Sequence, residues 1–207
     1  EQVVDKMNEN GIIVNIVNGE WSADGSVEME RPSQWDSNIF KSLISDSNSI
    51  TSAAILMNDP FTEVTVNEQS YILRSSAGTD PSYFDVFSLE IIAGVPMTQQ
   101  DYDLGFKKVW ISEETAVVLF GSAEKAIGGK VIPLGTRFQR GPGRSQDLLT
   151  QYSVAGIYAD SSEVARRSYG ISDLIVPLTA MLPNNDNAKR MLDFMSGKMV
   201  VQSTETS

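Results

Sequence analysis

Apolar and polar positions along this chain repeat on two different periods, and the switches between them outline the elements. The stretch "GIIVNIVN" (Gly11–Asn18) is short, β-branched and bounded by glycine, which predicts a strand. In "RPSQWDSNIFKSLISD" the residues Trp35, Ile39, Phe40, Leu43 and Ile44 recur at helical spacing, and Pro32 suits a first turn, so a helix is expected. "SITSAAILMN" (Ser49–Asn58) reads as a second buried strand. Together these make a βαβ-like unit, for which a right-handed crossover is expected. "FTEVTVNEQSYILRSSAG" then alternates at period two on both sides of Asn67-Glu68-Gln69, the pattern of a hairpin.

In "TDPSYFDVF", Asp80 is a good N-cap and Pro81 fits a first helical position, with Tyr83, Phe84 and Phe87 on one side. "SLEIIAG" reads as a short strand, "TQQDYDLG" as a turn-rich connection and "KKVWIS" (Lys107–Ser112) as a strand. The next segment, Ser112–Gly135, is read through its caps. Ser112 caps a helix with Glu113 and Glu114 in its first turn, favourable at the positive end of the dipole. Ala116, Leu119 and Phe120 fall on its core face, and Gly121 ends it in the left-handed conformation. Ser122 caps one more turn, and Gly128-Gly129 release the chain into a strand. Lys130–Leu134, Tyr152–Ala159 and Asp173–Leu178 are strand-like, the first two forming a hairpin interrupted by "GTRFQRGPGRSQDLLT". "NNDNAKRMLDFMSG" predicts a helix ended by Gly197, and "KMVVQ" begins a strand. With no internal repeat, the sum is an α+β fold of short elements rather than a long βα alternation.

Composition narrows what such a fold can do. A chain of 207 residues buries roughly 70% of its unfolded surface and needs no staples. Cysteine and histidine are both absent. That removes disulfides, thiolate and imidazole metal sites, and Ser-His or Cys-His catalysis. A net charge of -11 argues against nucleic acid and anionic membrane surfaces, which need clustered Lys and Arg. The longest apolar runs, Ala53–Met57 and Ala116–Phe120, fall far short of the about 20 residues of a membrane helix. The first residue is Glu1 rather than Met. The chain is therefore expected to be a processed or excised piece, with its targeting segment outside it.

Candidate chemistry thins out on inspection. A phosphate loop needs G-x-x-x-x-G-K-[ST], but Val131 follows Gly129-Lys130 and Glu124 stands where the first glycine belongs. Ser122-Ala123-Glu124-Lys125 matches the Ser-x-x-K of acylases but lacks their companion motifs. "DYDLG" (Asp101–Gly105) breaks the calcium-loop pattern, since Gly105 sits where a third ligand should be. Asn184–Asn187 reads as turns and a helix cap, and Trp21, Trp35 and Trp110 as packing residues. Glu28 and Glu30 would share a strand face, as exposed edge charges before a hydrolytic pair. The tip around Arg137, Arg140, Pro142 and Arg144 is locally basic in an acidic chain, a surface loop that is a candidate partner contact.

One family resemblance gathers these signals. They are Asp80-Pro81 with Tyr83-Phe84, Gly94 after a short strand, Val109–Ser112, Leu119-Phe120-Gly121, Ala126-Ile127-Gly128 with Lys130, and Val154-Ala155-Gly156-Ile157. In this order, over about 78–160, they resemble the periplasmic core domain of MacB-type ABC transporter permeases, the group that also holds FtsX and the lipoprotein-releasing permeases. The resemblance implies two subdomains. A porter-like subdomain would comprise residues 1–78 and 161–207, with a Sabre-like mixed α/β subdomain, 79–160, inserted in it. It implies a non-enzymatic, cofactor-free domain on the periplasmic side of a bacterial inner-membrane permease. It also implies a cytoplasmic ATP-binding subunit or domain, a periplasmic adaptor or carrier protein, and a second permease copy as partners. A free-standing periplasmic or surface binding protein is the alternative, and a carboxylate-pair hydrolase a further one.

Overall fold

The structure, a computed structural model, describes residues 11–15, 19–21, 27–29, 45, 50–134, 150–161, 166, 171–181 and 198–203. Its strands in chain order begin with β1 (Gly11–Asn15), β2 (Gly19–Trp21), β3 (Val27–Met29) and β4 (Ile50–Asn58). Then come β5 (Glu63–Val66), β6 (Gln69–Ile72), β7 (Ser76–Thr79), β8 (Ile91–Gly94) and β9 (Lys108–Ser112). The last are β10 (Lys130–Leu134), β11 (Tyr152–Tyr158), β12 (Leu174–Pro177) and β13 (Lys198–Ser203). The helices are α1 (Ser82–Val86), α2 (Gln99–Asp103), α3 (Glu113–Phe120) and α4 (Ala123–Ala126), with a 3₁₀ turn at Leu178–Met181.

One mixed sheet runs β1-β13-β4-β7-β12-β9-β11-β10-β5-β6, and β2 and β3 form a separate ribbon. The β7–β12 and β9–β11 pairs are parallel and the other neighbours antiparallel. Two cores lie on opposite faces of the central strands. Along β9, Val109 and Ile111 enter one core and Trp110 the other. β12 repeats this, with Leu174 and Val176 on the first face and Ile175 on the second. Period-two alternation here therefore sorts residues between two apolar layers rather than between core and water. Each fully buried side chain of this size contributes about 1.5–3 kcal/mol, and none of these six has measurable exposure. Ala116, Leu119 and Ala126, on α3 and α4, cover the first face, and Tyr83, Phe84 and Val86 of α1 cover the second. Phe84 meets the Trp110 ring edge-on, centroids 6.2 Å apart, and the indole N–H donates to the Val95 carbonyl at 2.7 Å.

β11 takes two partners on one side. β10 pairs near its start, Lys130 with Ser153, and β8 pairs near its end, Gly94 with Gly156. The register slips between Val154 and Gly156 against β9, and Trp110 lies against that bulge. A Cβ at Gly156 would sit 2.6 Å from both Trp110 Cδ1 and the Val95 oxygen. Opposite it, Gly94 has φ +79 and a Cβ there would sit 2.2 Å from the Ala155 carbonyl oxygen. The facing glycines are thus the clearance through which the indole reaches its acceptor.

The strands expected at Gly11, Ser49, Lys107, Lys130, Tyr152, Asp173 and Lys198 are present, shifted by a residue or a few at their ends. The β5–β6 hairpin turns at Asn67-Glu68, both at positive φ (48 and 67), the two-residue turn that matches strand twist. Three findings differ. "TQQD" is not a turn: Thr98 and Asp101 form a reciprocal capping box that starts α2. Ser76–Thr79 is not a hairpin tail but the central strand β7. β1 and β4 run parallel, yet β13 lies between them. Of the helix expected from Pro32 the described residues include Ser45, which is helical, and the helix expected from Asn184 lies outside the described residues. β5 pairs with β10, and β12 sits between β7 and β9.

Gly156→Ala is expected to lower stability by about 3 kcal/mol, an overpacking cost against an immovable ring. Val118→Ala, on the exposed side of α3, should stay within about 0.5 kcal/mol. Chemical denaturation of both variants checks the contrast.

Candidate functional site

The Ser112–Gly135 segment is built as its caps dictate. Ser112 Oγ accepts from the Thr115 N–H at 3.2 Å and donates toward Thr115 Oγ1 at 2.9 Å. Glu113 and Glu114 follow in the first turn, and Gly121 closes α3 with φ 86. Ser122 Oγ accepts from the Lys125 N–H at 3.3 Å and so starts α4. Lys125 is exposed. The Ser-x-x-K chemistry needs a buried, neutral amine beside the hydroxyl, and here the hydroxyl is committed to the backbone.

The acidic candidates are equally committed. Asp101 is buried, accepts from the Thr98 N–H and hydroxyl, and meets Lys108 Nζ at 2.6 Å. Burial pushes its carboxyl up, but the Lys108 ammonium and the Thr98 donors outweigh that and hold it below its usual value. Asp80 precedes the N-cap Pro81 and accepts from the Ser82 N–H at 2.9 Å at the start of α1 and from the Ile55 N–H at 3.0 Å. Burial dominates there and raises its carboxyl despite both donors. The β2–β3 register sets Glu28 opposite Glu20, and Glu30 lies outside the described residues. So do Arg137, Arg140, Pro142 and Arg144.

A charge ring that no motif announced sits at the start of α3. Arg74 reaches Glu114 at 2.5 Å and Asp173 at 3.2 Å, and Arg166 reaches the same carboxylates at 2.9 and 3.4 Å. Asp160 adds both carboxylate oxygens to the Glu114 N–H at 3.1 Å. The partners lie 40 and 99 residues from Arg74, so no local spacing could reveal them. Hydrogen bonds from Arg74 and then Arg166 hold the Glu114 carboxyl below its ordinary value. Beneath the ring, Tyr158 donates to the Ser172 carbonyl and Tyr83 accepts from the Ser172 N–H. Burial pushes the Tyr83 phenol up to about 12 and Tyr158 well above its ordinary value. Both phenols remain protonated at neutral pH. Among the described residues no cluster of acidic side chains could hold a metal ion.

What this geometry defines is an α+β domain whose polar side chains close its own backbone. The chain belongs to the family of MacB-like periplasmic core domains, whose model matches residues 2–205. It is thus a periplasmic domain of a MacB-like ABC transporter permease, a family of transport domains rather than enzymes. Permeases of this kind work with ATP-binding subunits. Among the described residues no helix is long and apolar enough to cross a membrane. The fold is similar to the periplasmic region of MacB from Actinobacillus actinomycetemcomitans (TM-score 0.59, 18% identity, 100% of this chain and 80% of that one). It is also similar to the extracellular domain of the ABC-type transporter YknZ from Gram-positive bacteria (0.56, 17%, 84% and 76%). A permease-protein domain from Porphyromonas gingivalis is comparable (0.56, 16%, 86% and 71%). Among curated proteins, none matches the sequence.

The depressed carboxyls set an acid limb. Glu114 and Asp101 titrate below their ordinary 4.5 and 3.8 when folded, so the unfolded chain takes up their protons first as pH falls. Their contribution is present above those values and is lost as pH drops through the lowered ones. Asp80 runs oppositely, contributing at low pH and losing it as pH rises. Asp101→Asn is therefore expected to lower stability at pH 7 and to flatten its fall between about pH 5 and 3. Denaturation midpoints measured across that range check both.

Proposed function

We propose that this domain relays ATP-driven movement of its permease's membrane helices to a periplasmic adaptor, carrier protein or cargo. The family match across residues 2–205 carries the reading. Its physical support is the doubly buried centre of the sheet. A strand such as β9, locked between two apolar layers, passes displacement along instead of absorbing it, because close-packed interiors compress little. We assign the porter-like part to residues 1–78 and 161–207 and the inserted Sabre-like part to 79–160. The partners are a cytoplasmic ATP-binding subunit or domain reached through the membrane helices, and a second permease copy. The tip carrying Arg137, Arg140, Pro142 and Arg144 is the contact for the periplasmic partner. Its charge suits an acidic surface, in a chain that is otherwise acidic.

The test replaces Arg137, Arg140 and Arg144 together with Ser in the intact permease. Partner affinity should fall roughly tenfold, a loss of about 1.4 kcal/mol, and export should fall with it, while basal ATP hydrolysis persists. Unchanged affinity and export would remove the tip from the relay.

A further inference from the structure

β4 changes neighbours halfway along. Ile50–Ile55 pair with β13, and Leu56–Asn58 pair with β7. One further step of the Leu56↔Thr79 register sets Asp80 opposite Ile55. There side chains replace the backbone ladder. The Ile55 N–H donates to Asp80 Oδ2 at 3.0 Å, and Thr79 Oγ1 donates to the Ile55 carbonyl at 2.5 Å. Both polar groups of Ile55 thus face the β7 side, which leaves β13 on the opposite edge of β4. β13 borders one edge up to Ile55 and β7 the other from Leu56, so the two supports barely overlap. Pro81 has no N–H to extend the β7 ladder, and the chain turns into α1 instead. α1 then packs Tyr83, Phe84 and Val86 into the core shared with Ala54 and Leu56, touching both β4 and β13.

A sheet resists bending where each strand is held on both edges. Among the described residues, the backbone of β4, two side-chain hydrogen bonds and the packing of α1 join the two portions at this step. We propose that the Ile55–Leu56 step is a hinge and that Asp80 and Thr79 are its clasp. The β1–β13 end of the sheet swings against the rest when they release Ile55. Service of this hinge in force relay rests on the reading above, but the hinge itself is a property of the chain.

The chain has no cysteine, so spin labels go where they are placed. Thr51→Cys on the early part of β4 and Val118→Cys on α3 form the reporting pair, both exposed. Glu68→Cys with Val118→Cys is the control pair on one side of the hinge. In Asp80→Ala/Thr79→Val the Thr51–Val118 distance distribution is expected to broaden about twofold, with the control pair unchanged. The Ile55 amide should exchange with solvent roughly tenfold faster. A folded variant in which neither pair changes, or both broaden equally, would overturn the hinge. If the double variant does not fold, Thr79→Val alone is measured with the same pairs. Broadening of the first pair only is then expected, and an unchanged first pair contradicts the proposal. Unchanged distances leave the relay reading standing, whereas a hinged domain that transmits nothing in the intact permease would sink the relay and leave the hinge.

Discussion

β9 has no face toward water. Val109, Trp110 and Ile111 alternate between two apolar layers, and much of the surrounding architecture follows from that. A strand buried on both faces needs helices on both sides, supplied here by α3 with α4 and by α1. It also needs neighbours on both edges, supplied by β11 and β12. The largest of its side chains carries an indole N–H that must be satisfied inside. The Val95 carbonyl does so, and the facing glycines Gly94 and Gly156 provide the room. A bulge that looks like an irregularity of β11 is the consequence of placing a tryptophan one strand away.

The polar side chains follow the same economy. Ser112, Ser122, Thr98, Asp80 and Asp101 each complete a helix start or an orphaned N–H. Arg74, Arg166, Glu114 and Asp173 tie the β6–β7 connection, the start of α3 and the start of β12 into one ring. Exposed ion pairs of this kind contribute little singly. The ring's value is geometric, holding three loops around the N-terminus of α3 while Asp173 is shielded from solvent. Groups so committed hold the fold's own backbone and loops in place.

Much of the element list was legible because it depends on short-range chemistry. Ser112, Gly121 and Ser122 declare helix ends within a few residues, and Asn67-Glu68 declares a turn between alternating runs. The Thr98-x-x-Asp101 signature is equally local, but the polar residues of "TQQDYDLG" give the same stretch the composition of a turn. β7 was hidden for another reason. Ser76-Ala77-Gly78-Thr79 has a single β-branched residue, Thr79, and no apolar alternation, and it is a strand because β4 and β12 pair with it on both edges. The charge ring, the β10/β8 division of β11 and the change of neighbours along β4 all join segments tens of residues apart. No single-sequence periodicity encodes such meetings. The basic tip is legible as composition alone, three arginines within eight residues of an acidic chain.

Native-state hydrogen exchange tests the doubly buried centre most directly. The amides of Val109, Trp110 and Ile111 should exchange only through global unfolding, with an opening free energy equal to that from denaturation. Those of the edge strand β6 should open far more readily. If the β9 amides exchange as fast as those of β6, the centre of the sheet is not the rigid element on which the rest is built.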